Sequence, residues 1–115
     1  MSWAKLDDGL TFHPKVIAAG NEGTGIFCRC LTYSASHLLD GRVPAEIALI
    51  IAGNEKALDR VVATGLLQEL PHTGDYVLSN YADYNPLRDE VEAKRLLRSE
   101  AGKRGGIASG KARSK

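Results

Sequence analysis

Three histidines, two cysteines and a scatter of serines and carboxylates could do chemistry on a substrate, and their spacing gathers none of them into a site. His13, His37 and His72 lie far apart in the chain. Cys28 and Cys30 are two residues apart on a predicted helix, so at about 100° per residue their side chains diverge by about 200°. A structural zinc site wants about four convergent ligands. Ser34 and Ser36 lie near Cys30 and His37, but without the strand–turn–helix setting of a nucleophile elbow. Glu46 and Glu55 are separated by the Gly53-Asn54 break, so no carboxylate pair is imposed. Gly20-Asn21-Glu22-Gly23-Thr24-Gly25 is similar to a glycine-rich phosphate loop. It lacks the Gly-Lys-Ser/Thr ending and has no apolar strand before it, so it reads as an irregular helix start. The expectation is a protein that is not an enzyme and that uses no metal and no cofactor.

The chemistry that the sequence does concentrate is positive charge. Residues 1–85 carry six basic and ten acidic side chains, a net −4. Residues 86–115 carry nine basic and four acidic, a net +5, and from Lys94 onward eight bases face Glu100 alone, a net +7. Such an end attracts polyanions, nucleic acid above all, because lysines and arginines displace the counterions condensed on phosphates. The phosphate-binding candidates here are Lys94, Arg95, Arg98, Lys103, Arg104, Lys111, Arg113 and Lys115.

These charges need elements to carry them. Trp3, Leu6, Leu10 and Phe12 form a lead-in expected to pack on the body. His13-Pro14-Lys15-Val16 opens a short helix, with proline tolerated at the first turn, and Gly20 ends it. From Thr24 to Leu39 apolar residues recur at three- and four-residue spacing, which predicts a helix stopped by Asp40-Gly41. Arg42-Val43 is at most a very short strand. Pro44 fits a first helical position, and Ile47, Ile50 and Ile51 share a face of the helix behind it. Gly53 breaks that helix. Asn54 caps the next one, which carries Leu58, Val61 and Val62 and stops at Gly65. The pattern then turns to strands, 66–70 and 76–79, joined by Pro71-His72-Thr73-Gly74-Asp75, a hairpin signal.

The predicted fold is therefore mainly α with a small β-hairpin. Its element order is that of a winged helix-turn-helix over residues 1–85. A C-terminal helix over 86–101, capped by Asn85-Pro86, and a flexible Gly/Lys/Arg tail over 102–115 follow. The expected core is Phe27, Leu31, Leu38, Ile47, Ile50, Leu58, Val61, Val62, Leu66 and Val77. In this topology the helix from Asn54 takes the recognition position, so Asn54, Lys56 and Arg60 are candidates to touch bases or phosphates, with Arg42 beside the first strand. The wing tip, His72 and Thr73, has no Lys or Arg. Leu87, Val91, Leu96 and Leu97 supply a partial apolar stripe that suits a homodimer.

Size and composition exclude other classes. The chain has 115 residues, 43% hydrophobic and 25% charged, one domain's worth of ordinary globular composition. A (β/α)₈ barrel needs roughly 250 residues. No run approaches the roughly 18 apolar residues of a membrane span, and Met1 to Leu10 lacks the apolar stretch of a secretory signal. Two cysteines cannot build a disulfide framework and point to a reducing compartment, hence the cytoplasm.

Longer stretches carry a resemblance. They are Met1-Ser2-Trp3-Ala4-Lys5-Leu6-Asp7-Asp8 and His13-Pro14-Lys15-Val16. Tyr33, Ser36, His37 and Leu38-Leu39-Asp40-Gly41-Arg42-Val43-Pro44 follow, then Val62-Ala63-Thr64-Gly65-Leu66, the Gly-containing wing, Tyr81 to Pro86 and the basic end from Ala101 to Lys115. With these the chain resembles the small winged helix-turn-helix proteins of actinobacteria and their phages, described as DNA-binding or replication-initiation-like, and the N-terminal module of replisome organisers. The resemblance implies binding of double-stranded DNA at a replication origin or prophage control region, with replication proteins as partners. A second class stays open beside it: an assembly scaffold without sequence-specific DNA binding, which the net −4 body favours.

Overall fold

The computed structural model describes residues 3–79, 81, 85 and 87–113, with side chains described through Gly102. The chain divides into two units, residues 1–85 and 86–115.

The first unit opens with a single 3-10 turn, Leu10–Phe12, and helix α1, Pro14–Ser36. Pro14 starts α1 as expected, and His13 caps it by accepting the Lys15 amide on Nδ1 at 3.2 Å. Gly20 interrupts this helix, as expected. Its φ of +71° is left-handed, a conformation glycine adopts without a Cβ penalty, and the helix resumes beyond it. The two expected helices are thus two helical segments that meet at a kink at Gly20. It buries Ala19, Gly23, Ile26, Cys30, Leu31 and Ser34, a stripe at three-, four- and seven-residue spacing. It ends three residues short of Leu39, because Leu38 and Asp40 turn to positive φ ahead of Gly41. Gly41 has no substitute: a Cβ there would stand 2.6 Å from the Tyr81 Cβ.

Strand β1, Arg42–Val43, leads to α2, Ala45–Ala52, with Pro44 one residue ahead of the helix as its N-cap. Gly53, left-handed, closes α2, and Asn54 caps α3, Glu55–Thr64, by accepting the Ala57 amide at 2.9 Å. Gly65 closes α3. Strands β2, Leu67–Glu69, and β3, Tyr76–Leu78, then pair antiparallel as the hairpin signal predicts, with Leu67 opposite Leu78 and Glu69 opposite Tyr76. β1 also joins β3, giving a three-stranded antiparallel sheet in the order β1-β3-β2. The hairpin loop is tied down by Asp75, whose carboxylate accepts the Ala45 amide at 3.0 Å and so sits at the positive end of α2.

The core lies where α1 crosses α3 over the sheet. Leu31, Leu58, Val61 and Leu66 are buried as expected. Phe27, Leu38, Ile47, Val62 and Val77 are only half-buried. Ile50 is the clear misplacement, 72% exposed, because α2 turns Ala48 inward and leaves Leu49 and Ile50 outside. The small side chain at Ala48 lets α2 come close to its neighbours, which shared periodicity among three isoleucines does not reveal. On β3 it is Leu78, not Val77, that points into the core.

The lead-in is held differently from the expectation. Trp3, Leu6 and Phe12 remain exposed. The strap is clasped by its backbone: buried Asn85 accepts the Lys5 amide on Oδ1 at 2.7 Å and donates through Nδ2 to the Lys5 carbonyl at 3.3 Å. Asn85 is therefore a clasp across 80 residues and not the cap of the following helix.

In the second unit α4 runs from Arg88 to Arg113, starting two residues later than expected and passing straight through the expected boundary at Gly102. Residues 102–113 are thus helical backbone. Once a helix is nucleated, each added residue contributes one hydrogen bond, and a glycine costs about 1 kcal/mol without breaking the ladder. No proline follows Pro86. Arg88 and Glu92 pair at 2.9 Å on the first turns. At about 100° per residue Leu87 and Val91 share a face, whereas Leu96 and Leu97 fall on other sides, so the apolar stripe is discontinuous.

Leu58→Ala is expected to cost about 2–5 kcal/mol, lost transfer energy plus a cavity. Ile50→Ala, by contrast, should move stability by less than about 0.5 kcal/mol. Urea unfolding of the two variants checks the assignment of faces.

Candidate nucleic-acid interface

Helix α3 faces inward through Ala57, Leu58 and Val61 and outward through Glu55, Lys56, Asp59, Arg60 and Ala63. Lys56 and Arg60 lie one turn apart, and so do Glu55 and Asp59, giving a basic and an acidic row of equal formal charge. Asn54 stands at the end of this face, but its side-chain oxygen is occupied by the Ala57 amide, so only its amide hydrogens remain to offer a partner.

Next to α3 the surface is acidic. The Tyr76 hydroxyl on β3 is pushed above its ordinary pKa, first by burial and then by the charges of Glu69, Asp59 and Glu55. Three carboxylates therefore act together on one corner where α3 meets the hairpin. The loop tip, His72 and Thr73, is exposed, with the Thr73 hydroxyl accepting the Asp75 amide.

Arg42 is exposed on β1, opposite Val77. The sheet order puts β3 between it and β2, the strand to which α3 leads directly. Arg42 thus sits at the opposite sheet edge from the strand that follows Lys56 and Arg60. On α4, Lys94, Arg95 and Arg98 are exposed. Lys103, Arg104, Lys111 and Arg113 lie on helical backbone, and their side chains fall outside the described residues, as does Lys115 altogether.

Two cations do structural work that sequence spacing does not announce. Arg29 donates to the Ile51 carbonyl at 3.1 Å, placing a guanidinium at the negative end of α2. The Lys15 side chain lies across Gly65, where a Cβ would stand 3.3 Å from its Cε. Both contacts join residues more than twenty apart, and no local pattern encodes them.

Several of the reactive groups are engaged structurally, although the buried Ser34 hydroxyl has no hydrogen-bond partner among the described residues. Ser36 donates to the Tyr33 carbonyl at 3.0 Å, and the His37 ring stacks on Tyr33 with centroids 4.2 Å apart, so the pair finishes α1. Burial pushes the Cys28 thiol above its usual value and lifts that of Cys30 to about 11, with Arg29 opposing the rise. Among the described residues no three His, Cys, Asp or Glu side chains are grouped to hold a metal, and no helix is long and apolar enough to cross a membrane. No known protein family, curated protein or solved structure matches the chain.

The Cys30 thiol has a folded value of about 11 against the usual 9.0, so folding favours its neutral form. That contribution is full below about pH 9 and is lost as pH rises toward 11. Unfolding free energy measured in urea should therefore decline across this window, and the decline should be shallower in Cys30→Ala.

Proposed function

We propose that this chain is a non-enzymatic protein that binds double-stranded DNA through a winged helix-turn-helix body and a basic C-terminal helix. It acts in phage or prophage replication initiation or in transcriptional control, in the cytoplasm. The observation that carries the reading is the concentration of charge on α4: seven bases against one acid between Lys94 and Arg113, with Lys115 beyond. Between Lys94 and Arg113 the helix spans about 28 Å at 1.5 Å per residue, close to the roughly 34 Å of one duplex turn.

The body supports the reading through its order of elements: helix, strand, helix, helix, strand, loop, strand, with the first strand added beside the last. A two-residue link, Gly53-Asn54, between α2 and α3 suits a helix-turn-helix pair with α3 as the recognition helix. In this scheme α4 supplies general phosphate affinity. Lys56 and Arg60 supply the contacts that discriminate sequence, with Glu55 and Asp59 rejecting unsuitable base edges. Arg42 holds phosphate from the far sheet edge.

A second reading is an assembly scaffold that recruits replication proteins or a second copy of itself. The acidic corner of Glu55, Asp59 and Glu69 around Tyr76 favours it, since that corner repels a phosphate backbone. Salt dependence separates the two. Deleting residues 102–115 removes five positive groups and no acid. Each phosphate contact contributes about 0.9 to the slope of log affinity against log salt, so the truncated chain should lose up to about four or five from that slope. Fluorescence anisotropy on one duplex across a salt series reads this directly. An unchanged slope would move the scaffold ahead.

A further inference from the structure

Under the N-terminal strap lies a cavity of about 90 Å³. Its floor is apolar: Val16, Phe27 and Leu31 from α1, and Leu66 and Leu78 from the two ends of the hairpin. Protein interiors seldom keep voids larger than a water, whose share of liquid volume is about 30 Å³. This void is why Phe27, an expected core residue, stays half-exposed.

The rim is polar and mostly cationic. Lys5, His13 and Lys15 line it against the single carboxylate of Asp7. The Asp7 carboxylate already accepts the Gly9 amide at 3.1 Å. His13 accepts the Lys15 amide on Nδ1, which leaves Nε2 as the protonated, donating nitrogen of the neutral ring. The Asn85 clasp on Lys5 holds the strap in place as one wall.

We propose that this cavity binds a small organic carboxylate, a compact single ring or branched chain seated on the apolar floor with its anionic head at the Lys5–His13–Lys15 rim. Size sets the class: an apolar cavity of about 150 Å³ encloses a whole benzene, so one of about 90 Å³ that opens at a charged rim seats the inner part of a single ring or a short branched chain, with the rest and the head outside. Charge sets the sign: two lysine ammoniums and the His13 N–H donor against one engaged carboxylate favour an anion over a neutral or cationic guest. Binding here needs no DNA, so it stands or fails independently of the proposed DNA contact.

The test is a titration of the full chain, free of DNA, with benzoate, benzyl alcohol and acetate, followed by two-dimensional NMR. Benzoate should give saturable shifts at the strap and at Val16, Phe27, Leu31, Leu66 and Leu78. Benzyl alcohol should bind more weakly and acetate should not saturate, because each lacks half of the recognition. Lys15→Gln should weaken benzoate about tenfold, as loss of a charged contact does, and leave benzyl alcohol unchanged. Val16→Phe, which fills the void from a half-exposed position, should abolish both while the spectrum remains that of a folded chain. Saturable binding untouched by either substitution would overturn the proposal, as would equal affinity for benzoate and benzyl alcohol, or no saturable shift with benzoate.

Discussion

The close crossing of α1 and α3 is the contact on which the rest of the body depends. Gly23 faces Val61 in that crossing, and the shape of α1 itself requires a glycine there: a Cβ would stand 2.6 Å from the Ala19 Cβ of the same helix, while the Val61 side chain at 3.5 Å is at ordinary contact distance. The left-handed Gly20 bends α1 just upstream, so the helix delivers Ala19, Gly23, Ile26 and Cys30 along the buried side in spite of its three early glycines. Val61 and Cys30 are fully buried in the same core. A Cβ at Gly23 would force α1 to shift at its own bend, against Ala19.

From that crossing the outward face of α3 takes its orientation. Burial of Ala57, Leu58 and Val61 leaves Glu55, Lys56, Asp59 and Arg60 in solvent, and Gly65 then turns the chain directly into β2. The hairpin returns through β3, which is bonded to β1 on its other side and anchored to α2 by Asp75. The charged face and the acidic corner around Tyr76 are consequences of one packing decision. The strap is different: it is held by two hydrogen bonds to Asn85 and little apolar burial, and it leaves the void beneath it unfilled.

Much of this architecture was legible in the sequence, for physical reasons. Pro14, Asn54, Gly53 and Gly65 mark helix ends through backbone rules that act within a few residues, and each stands at or beside an observed boundary. The hairpin was legible from a Gly-containing polar loop between apolar runs. What stayed hidden is non-local. The third strand partner of β3, the Asn85 clasp, the Arg29 cap on α2 and the lysine across Gly65 join residues from 22 to 80 apart. Ile50 misled because periodicity identifies an apolar face without saying which neighbour will cover it, and Ala48 gave the closer approach. At Gly102 four late glycines mark a boundary by propensity alone, yet the helix continues to Arg113 because an established helix needs only one further bond per residue. Of the candidate contacts, Lys56 and Arg60 share a face as their spacing implied, whereas Arg42 sits at the other sheet edge and the Asn54 oxygen serves its own helix.

The proposed division of labour is general affinity from α4 and discrimination from α3, and amide hydrogen exchange with and without a saturating duplex tests it most directly. If phosphate contact runs along α4, exchange there slows from Lys94 to Arg113. A smaller, sequence-dependent slowing should appear in the first turn of α3, while the α1 core exchanges as before. Unchanged exchange across α4 with the duplex bound, or protection confined to the acidic corner of the body, would contradict it.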